Sequence, residues 1–322
     1  MKKATVIWLI AAAGLVIAGG VLFVVAMTMS GWDFTKLSTE SRETNEYRVE
    51  ETYGNISVQT DTADIRLIPS EDGTTKVICH EKSRATHKVE VRDGTLYIEL
   101  VDTRKWYDHI NIGVDHSEIT ICLPGGEYGA MTAIGSTCDV KIPAEFGFRS
   151  LDVSVSTGDV TAAASVAGAM RIKASTGDIR LDPLSAQSLS LTVSTGKITA
   201  TGVTVAEAAE MRVSTGKVNL KDLSCGSLTS TGNTGDMSMI NVVATGTMSI
   251  TRSTGDVRMD ACDAAEIVVK TDTGDVTGTL LTEKVFMVKT DTGDVDVPRS
   301  VTGGACEITT DTGDIRVDIL GK

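Results

Sequence analysis

Apolar and polar positions alternate along most of the chain, and the same short polar cluster interrupts the alternation at regular intervals. Leu151, Val153 and Val155 precede the cluster Ser156-Thr157-Gly158-Asp159, and Val160 and Ala162 follow it; Leu189, Leu191 and Val193 precede Ser194-Thr195-Gly196-Lys197. A period of two is the mark of a strand with one buried face. Thr-Gly, then Asp or Lys, then Val, Ile or Met recurs with its glycine at Gly158, Gly177, Gly196, Gly216, Gly235, Gly255, Gly274, Gly293 and Gly313, at spacings of 19, 19, 20, 19, 20, 19, 19 and 20 residues. A period this constant predicts stacked supersecondary units.

Two strands meeting at a Thr-Gly turn could instead be an antiparallel hairpin. The columns decide between the two. Two places after the glycine stand Val160, Ile179, Ile198, Val218, Met237, Val257, Val276, Val295 and Ile315. Like residues repeated unit after unit are what parallel, in-register stacking at ~4.8 Å produces. A turn of 19 to 20 residues, at ~3.3 Å each, has a contour of roughly 60 Å, enough for a narrow tube of short strands and corners. Its core is expected to be aliphatic, since Phe286 is the single aromatic residue after Phe148 while twelve lie at or before it.

The first part of the chain is less regular. Ile56, Val58, Thr62, Ala63, Asp64, Ile65 and Leu67 reproduce the unit with Ala63 in the glycine place, and Met131, Thr137, Cys138, Asp139, Val140 and Ile142 do so with Cys138 there. Between these degenerate rungs, His87 to Val101 carries an Asp93-Gly94 pair flanked by alternating residues, which predicts a hairpin. Such a region would cap the solenoid, whose last rung otherwise exposes core and strand edge.

From Ala4 to Met29 there are 26 residues without a charge, more than the ~20 needed to cross a bilayer as a helix. Lys2 and Lys3 precede the run, so the positive-inside rule places the N-terminus in the cytoplasm and everything after Ser30 outside the cell membrane; Trp32 and Phe34 follow where an interfacial anchor belongs. A cleaved signal peptide is the competing reading, but its apolar core is usually only ~7 to 15 residues. The predicted organisation is a cytoplasmic stub with a single-pass signal-anchor helix (1–30), a linker (31–44), an irregular β region (45–143) and the parallel β-solenoid (144–322). The fold class is therefore all-β, preceded by one transmembrane helix.

At this point the chain resembles a bacterial "putative adhesin" family of β-strand repeat proteins, domain-of-unknown-function family 4097. The resemblance rests on the anchor followed by Gly31-Trp32-Asp33-Phe34, on Asp61-Thr62-Ala63-Asp64-Ile65, on Arg104-Lys105-Trp106-Tyr107 and on the Ser-Thr-Gly-Asp units, and covers nearly the whole chain. It implies a cell-surface protein of Gram-positive-type bacteria, in some cases tied to envelope-stress systems, with an adhesive role. It supplies no catalytic residues. Lys197 and Lys217 depart from the usual Asp after glycine, and Cys138 from glycine itself.

A net charge of −13 argues against nucleic acid, which needs a basic surface for counterion release. The acids are not scattered. Asp159, Asp178, Asp236, Asp256, Asp275, Asp294 and Asp314 follow the repeat glycines, and Asp272, Asp291 and Asp311 stand two places before the last three. Stacked carboxylates repel, and calcium held by the ladder Asp272, Asp275, Asp291, Asp294, Asp311 and Asp314 would relieve that. The simpler reading is that Asp and Thr suit the turn, bonding nearby backbone N–H groups.

His80, His87, His109 and His116 all fall in the capping region, and Cys79 adjoins His80; a metal site there competes with plain exposed hairpin histidines. Cys79, Cys122, Cys138, Cys225, Cys262 and Cys306 form no C-x-x-C pair, and read as small buried hydrophobes, with Cys79–Cys122 the one disulfide to entertain. Nucleophile-elbow, zincin and phosphate-loop motifs are absent from the sequence. Three functions remain: a surface binding module for a cell-wall or host glycan or a surface protein, a passive envelope stalk, and a carbohydrate-active β-helix enzyme. The last needs long loops to wall a groove, and the clean turns vary by no more than one residue.

Overall fold

The computed structural model describes residues 3–29, 31–32, 42–103 and 117–321. Phe34, the Arg104–Tyr107 segment, His109 and His116 lie outside them. Helix α1 (Lys3–Met29) is the apolar run, with a mean hydropathy of 2.7 over Thr5–Met29 and none of its most apolar stretch buried against protein. Its length and composition suit a membrane span or a signal sequence equally.

Beyond it the chain forms a parallel β-solenoid. A coil has a long strand that bends midway and a short one after the glycine turn, such as Ser165–Thr176 and Ile179–Leu181; in Val218–Thr234, Met237–Thr254 and Val257–Thr273 the short strand runs on into the next long one. The bend is a register shift, between Val166 and Ala169 in that coil, so a coil has three sides. The columns align as the repeat predicts: Thr157 faces Thr176, which faces Thr195 and then Thr215, while Val160, Ile179, Ile198 and Val218 stack inside. The inward residues form one continuous core from Ile56 to Ile319.

The turn glycines are required twice over. Their φ angles run from 125° at Gly235 to 152° at Gly313, a region closed to side chains. A Cβ on Gly177 would also stand 2.1 Å from the carbonyl oxygen of Gly158, and one on Gly196 2.0 Å from that of Gly177.

The N-terminal region contains strands β1 (Arg42–Val49), β2 (Asn55–Gln59), β3 (Ala63–Pro69), β4 (Thr75–Lys82), β5 (Ala85–Arg92), β6 (Thr95–Asp102), β7 (Ser117–Leu123), β8 (Gly126–Thr137) and β9 (Val140–Ile142). The two degenerate rungs are true coils: β2 lies parallel to β8 with Ile56 on Met131, and β3 to β9 with Ile65 on Val140. β6 and β7 make a further coil outside β2 and β3. The sequence reading missed this coil. β4 and β5 then run antiparallel to β7 and β6, and β1 pairs antiparallel with β4, completing the cap. Asp93 and Gly94, at φ 49° and 71°, make the expected two-residue hairpin between β5 and β6. Stacking passes unbroken through residues 143–149, since β8 pairs with Phe146–Thr157 and β9 with Val160–Ala162. Tyr128, Phe146 and Phe148 gather there, so the aromatic shift marks a change in core filling.

The last coils depart from sequence order. Gly304–Thr312 pairs with Ile267–Thr273 on one side and Lys284–Thr292 on the other; likewise Ile315–Ile319 lies between Val276–Leu280 and Val295–Asp296. The Gly313 coil is thus inserted between those of Gly274 and Gly293, and the Gly293 coil is outermost.

All six cysteines are buried thiols. The Cys79–Cys122 disulfide is ruled out by register, because Cys79 faces Ile119 while Cys122 faces Lys76, three residues along.

One core position is out of character. Arg252 stands in the inward column that holds Val193 and Val213, is 2% exposed and bends over Gly232, where a Cβ would lie 1.7 Å from its Nη1. Its Nη2 donates to Ser230 Oγ at 2.9 Å and lies 3.4 Å from Met237 Sδ; its Nε has no partner, and no carboxylate pairs with it among the described residues. Burial pulls its pKa down. An unpaired buried guanidinium opposes folding, so Arg252→Met is expected to stabilise the protein by about 1–4 kcal/mol, the range seen when buried ions give way to apolar packing. Denaturant melts of the two proteins check this; a less stable variant would show that the guanidinium is compensated.

Candidate functional site: the turn edge and the cap

At each turn the backbone direction leaves one amide unserved by the ordinary ladder. The glycine N–H donates to the threonine carbonyl of the next coil, as Gly158 does to Thr176 at 3.0 Å, and the residue after Asp donates likewise, as Val160 does to Asp178 at 2.9 Å. The amide between them points the other way, toward the preceding coil. There the aspartate side chain receives it. Asp139 N–H donates to Asp64 Oδ1 (2.8 Å), Asp159 to Asp139 (2.8 Å), Asp178 to Asp159 (2.7 Å) and Lys197 to Asp178 (2.8 Å). In the last coils Asp275 donates to Asp256 (2.9 Å), Asp314 to Asp275 (2.8 Å) and Asp294 to Asp314 (2.8 Å), following the spatial order.

This ladder explains why Asp follows the glycine: its oxygen completes the backbone hydrogen bonding of the coil above. Lys197 and Lys217 carry no such oxygen. Their ammonium groups reach sideways, Lys197 Nζ to Asp178 Oδ2 at 3.6 Å and Lys217 Nζ to Asp236 Oδ2 at 2.8 Å. Lys217 above all, with the amide of Asp256, holds the Asp236 carboxyl below the usual range.

Of the acids considered for calcium, Asp275 and Asp314 each commit Oδ1 to a backbone amide, Arg316 takes Asp314 Oδ2 at 2.6 Å, and Lys289 takes Asp291 Oδ1 at 2.9 Å. Asp272, Asp275, Asp291, Asp294, Asp311 and Asp314 bring no three carboxylates within 4.8 Å of one another. Beside them the threonines before the glycines, Thr157 through Thr312, form an exposed column along the same edge. A groove of about 410 Å³ opens where this edge meets the cap, lined by Thr62, Asp64, Ser117, Thr137, Asp139 and Thr157. A larger one, about 590 Å³, lies at another corner between Arg66, Lys141, Pro143, Glu145 and Asp182.

Sequence reasoning placed the histidines on exposed hairpins, and His87 corrects that. It is 3% exposed, held between β4 and β2. Its backbone N–H and ring Nδ1 both meet Glu81 Oε2 at 2.7 Å, and Nε2 lies 3.1 Å from Thr60 Oγ1; Asn45 Nδ2 donates to Glu81 Oε1 at 2.7 Å. Cys79, two residues before Glu81 and on the same inward face, completes a group whose ligand atoms lie within 4.8 Å of one another. Burial, then the Glu81 charge, pushes the Cys79 thiol up to about 12. His80 faces outward and contacts Thr44 Oγ1 at 2.9 Å. Thr60, His87 and Glu81 form a hydroxyl–imidazole–carboxylate line, but the space beside it is about 10 Å³, room for roughly one water and no substrate.

The model of the family described as Toastrack DUF4097 matches residues 53–276 and 210–321. The chain belongs to this family. Among solved structures, this Toastrack chain is similar to a "putative adhesin" from Bacteroides fragilis NCTC 9343, at 15% identity over 87% of this chain and 97% of that one (TM-score 0.41). It is also similar to a "putative adhesin" from Parabacteroides merdae ATCC 43184, at 12% identity over 86% and 97% (TM-score 0.45). A "putative lipid binding protein" from Parabacteroides distasonis ATCC 8503 matches at 13% identity over 88% and 98% (TM-score 0.41). No curated protein matches the chain significantly.

If the acid column serves the backbone, an amide should substitute for the carboxylate. Asp159→Ala is expected to cost about 1–2 kcal/mol, and Asp159→Asn to recover most of it. Equal losses in thermal melts would assign the column to charge instead.

Proposed function

We propose that this chain is a membrane-anchored, extracytoplasmic binding module whose turn edge engages a repetitive polymer, a cell-wall or host glycan, or a surface protein. The observation that carries the reading is the exposed threonine column with its aspartate neighbour, repeated coil after coil in register. Hydroxyls and carboxylates at ~4.8 Å intervals on a shallow edge offer a polymer many weak contacts, which add through effective concentration. They offer a small molecule no enclosure. The apolar helix α1, with Lys2 and Lys3 at its N-terminal end, supports anchoring with the solenoid outside.

Avidity of this kind scales with the number of coils. Deleting residues 197–235 removes two whole coils and joins Gly196 to Asp236 in register; the shortened protein is expected to stay folded and to be retained less on cell-wall or host glycans. Equal retention, or none by either form, would leave a passive stalk. A hydrolase at the larger groove would instead lose all turnover of a glycan when Glu145 or Asp182 alone is changed. Topology has its own test: protease added to intact cells should digest the chain beyond Ser30 and spare the N-terminus, and a protected C-terminal tag would refute the orientation.

A further inference from the structure

We propose that Cys79, Glu81 and His87 form a binding site for a single zinc-class divalent cation inside the N-terminal cap, distinct from the turn-edge reading above. The three residues come from a two-strand unit. Cys79 and Glu81 alternate along β4 with Thr75 and Val77 on its inward face, and the tight β4–β5 connection brings His87 back over Glu81. All three are buried, at 0%, 2% and 3% exposure.

The donor set is the first argument. Thiolate, imidazole and carboxylate together suit a borderline cation such as zinc, and three protein ligands with one open place is a familiar zinc arrangement. Metal–ligand bonds of about 2.0–2.3 Å imply ligand atoms roughly 3.3–3.7 Å apart. Here the atoms already lie within 4.8 Å of one another, so an ion needs only a small opening of the 2.7 Å His87–Glu81 contact.

The surroundings are the second argument. Asn45 holds the far oxygen of Glu81, and Thr60 Oγ1 stands at Nε2 of His87, so that once Nδ1 ligates the metal the ring proton has an acceptor. The cavity of about 10 Å³ beside Glu81 and His87 fits one water as the fourth ligand. The third argument is the thiol itself, which is wholly buried, in no disulfide and beside a buried carboxylate. The binding step balances as cation plus neutral thiol giving a metal thiolate and one released proton, while the imidazole proton shifts from Nδ1 to Nε2.

The test uses the full chain in detergent, stripped with chelator and titrated with cobalt(II) as a spectroscopic stand-in for zinc. One equivalent is expected to produce a thiolate-to-cobalt charge-transfer band that zinc abolishes. Cys79→Ser should remove the band and Cys138→Ser, at another buried thiol, should keep it. No band in the parent protein overturns the proposal whether or not any variant folds, and so does a band that survives Cys79→Ser.

Discussion

The structure depends on how closely two coils approach at the glycine turn. A Cβ there would sit about 2 Å from the carbonyl oxygen beneath it, so the backbone of one coil rests directly on the backbone of the next. That approach sets the register of everything else. With the turn fixed, the strands leaving it alternate inward and outward in step, and apolar columns build a core without any specific pair of residues being selected. The aspartate after the glycine belongs to the same constraint, because the reversed amide at the turn needs an acceptor from the coil below.

This explains what could and could not be read from the chain. The period, the apolar column from Val160 to Ile315, the Asp93-Gly94 hairpin and the degenerate coils at Ala63 and Cys138 were legible because each is a local signal repeated or spaced by geometry. The order of the last coils was not. Val276, Val295 and Ile315 are interchangeable at their position, so nothing local distinguishes Gly313 above Gly274 from Gly293 above Gly274. The β6–β7 coil escaped because no Thr-Gly signal stands between Asp102 and Ser117 to announce it. His87 escaped for a different reason. Its partner Glu81 falls on the same alternation as Val77 and Cys79, and a carboxylate on an inward face signals a buried polar group, but only the fold shows what meets it.

The two ends share a topological solution. At each end the coil nearest the terminus in sequence is inserted between the outermost coil and the next one in: β2 and β3 lie between β6–β7 and β8–β9, and Gly304–Thr312 lies between Lys284–Thr292 and Ile267–Thr273. The segment closest to the C-terminus is thereby hydrogen-bonded on both sides and held against fraying. The finish differs. The N-terminal side continues into antiparallel strands ending at the charged β1, whereas the far side ends on a parallel strand with Met287 at 52% and Val295 at 45% exposure. Lys289, exposed on that last strand, is the kind of residue that discourages edge pairing.

Repetition also dictates where each kind of chemistry can reside. A column of identical side chains cannot assemble a constellation of unlike groups, since whatever stands at one coil stands at its neighbours. It can act only by number, and the turn edge has that character. A unique cluster requires a place where the repeat is broken and strands cross in another sense. The antiparallel β4–β5 unit is such a place, and it brings a thiol, a carboxylate and an imidazole from one short stretch of chain into contact. The same logic marks Arg252 as a local lapse, because its coil carries an arginine between Gly232 and Thr271 of the adjacent coils, and no second break supplies the carboxylate that would complete it.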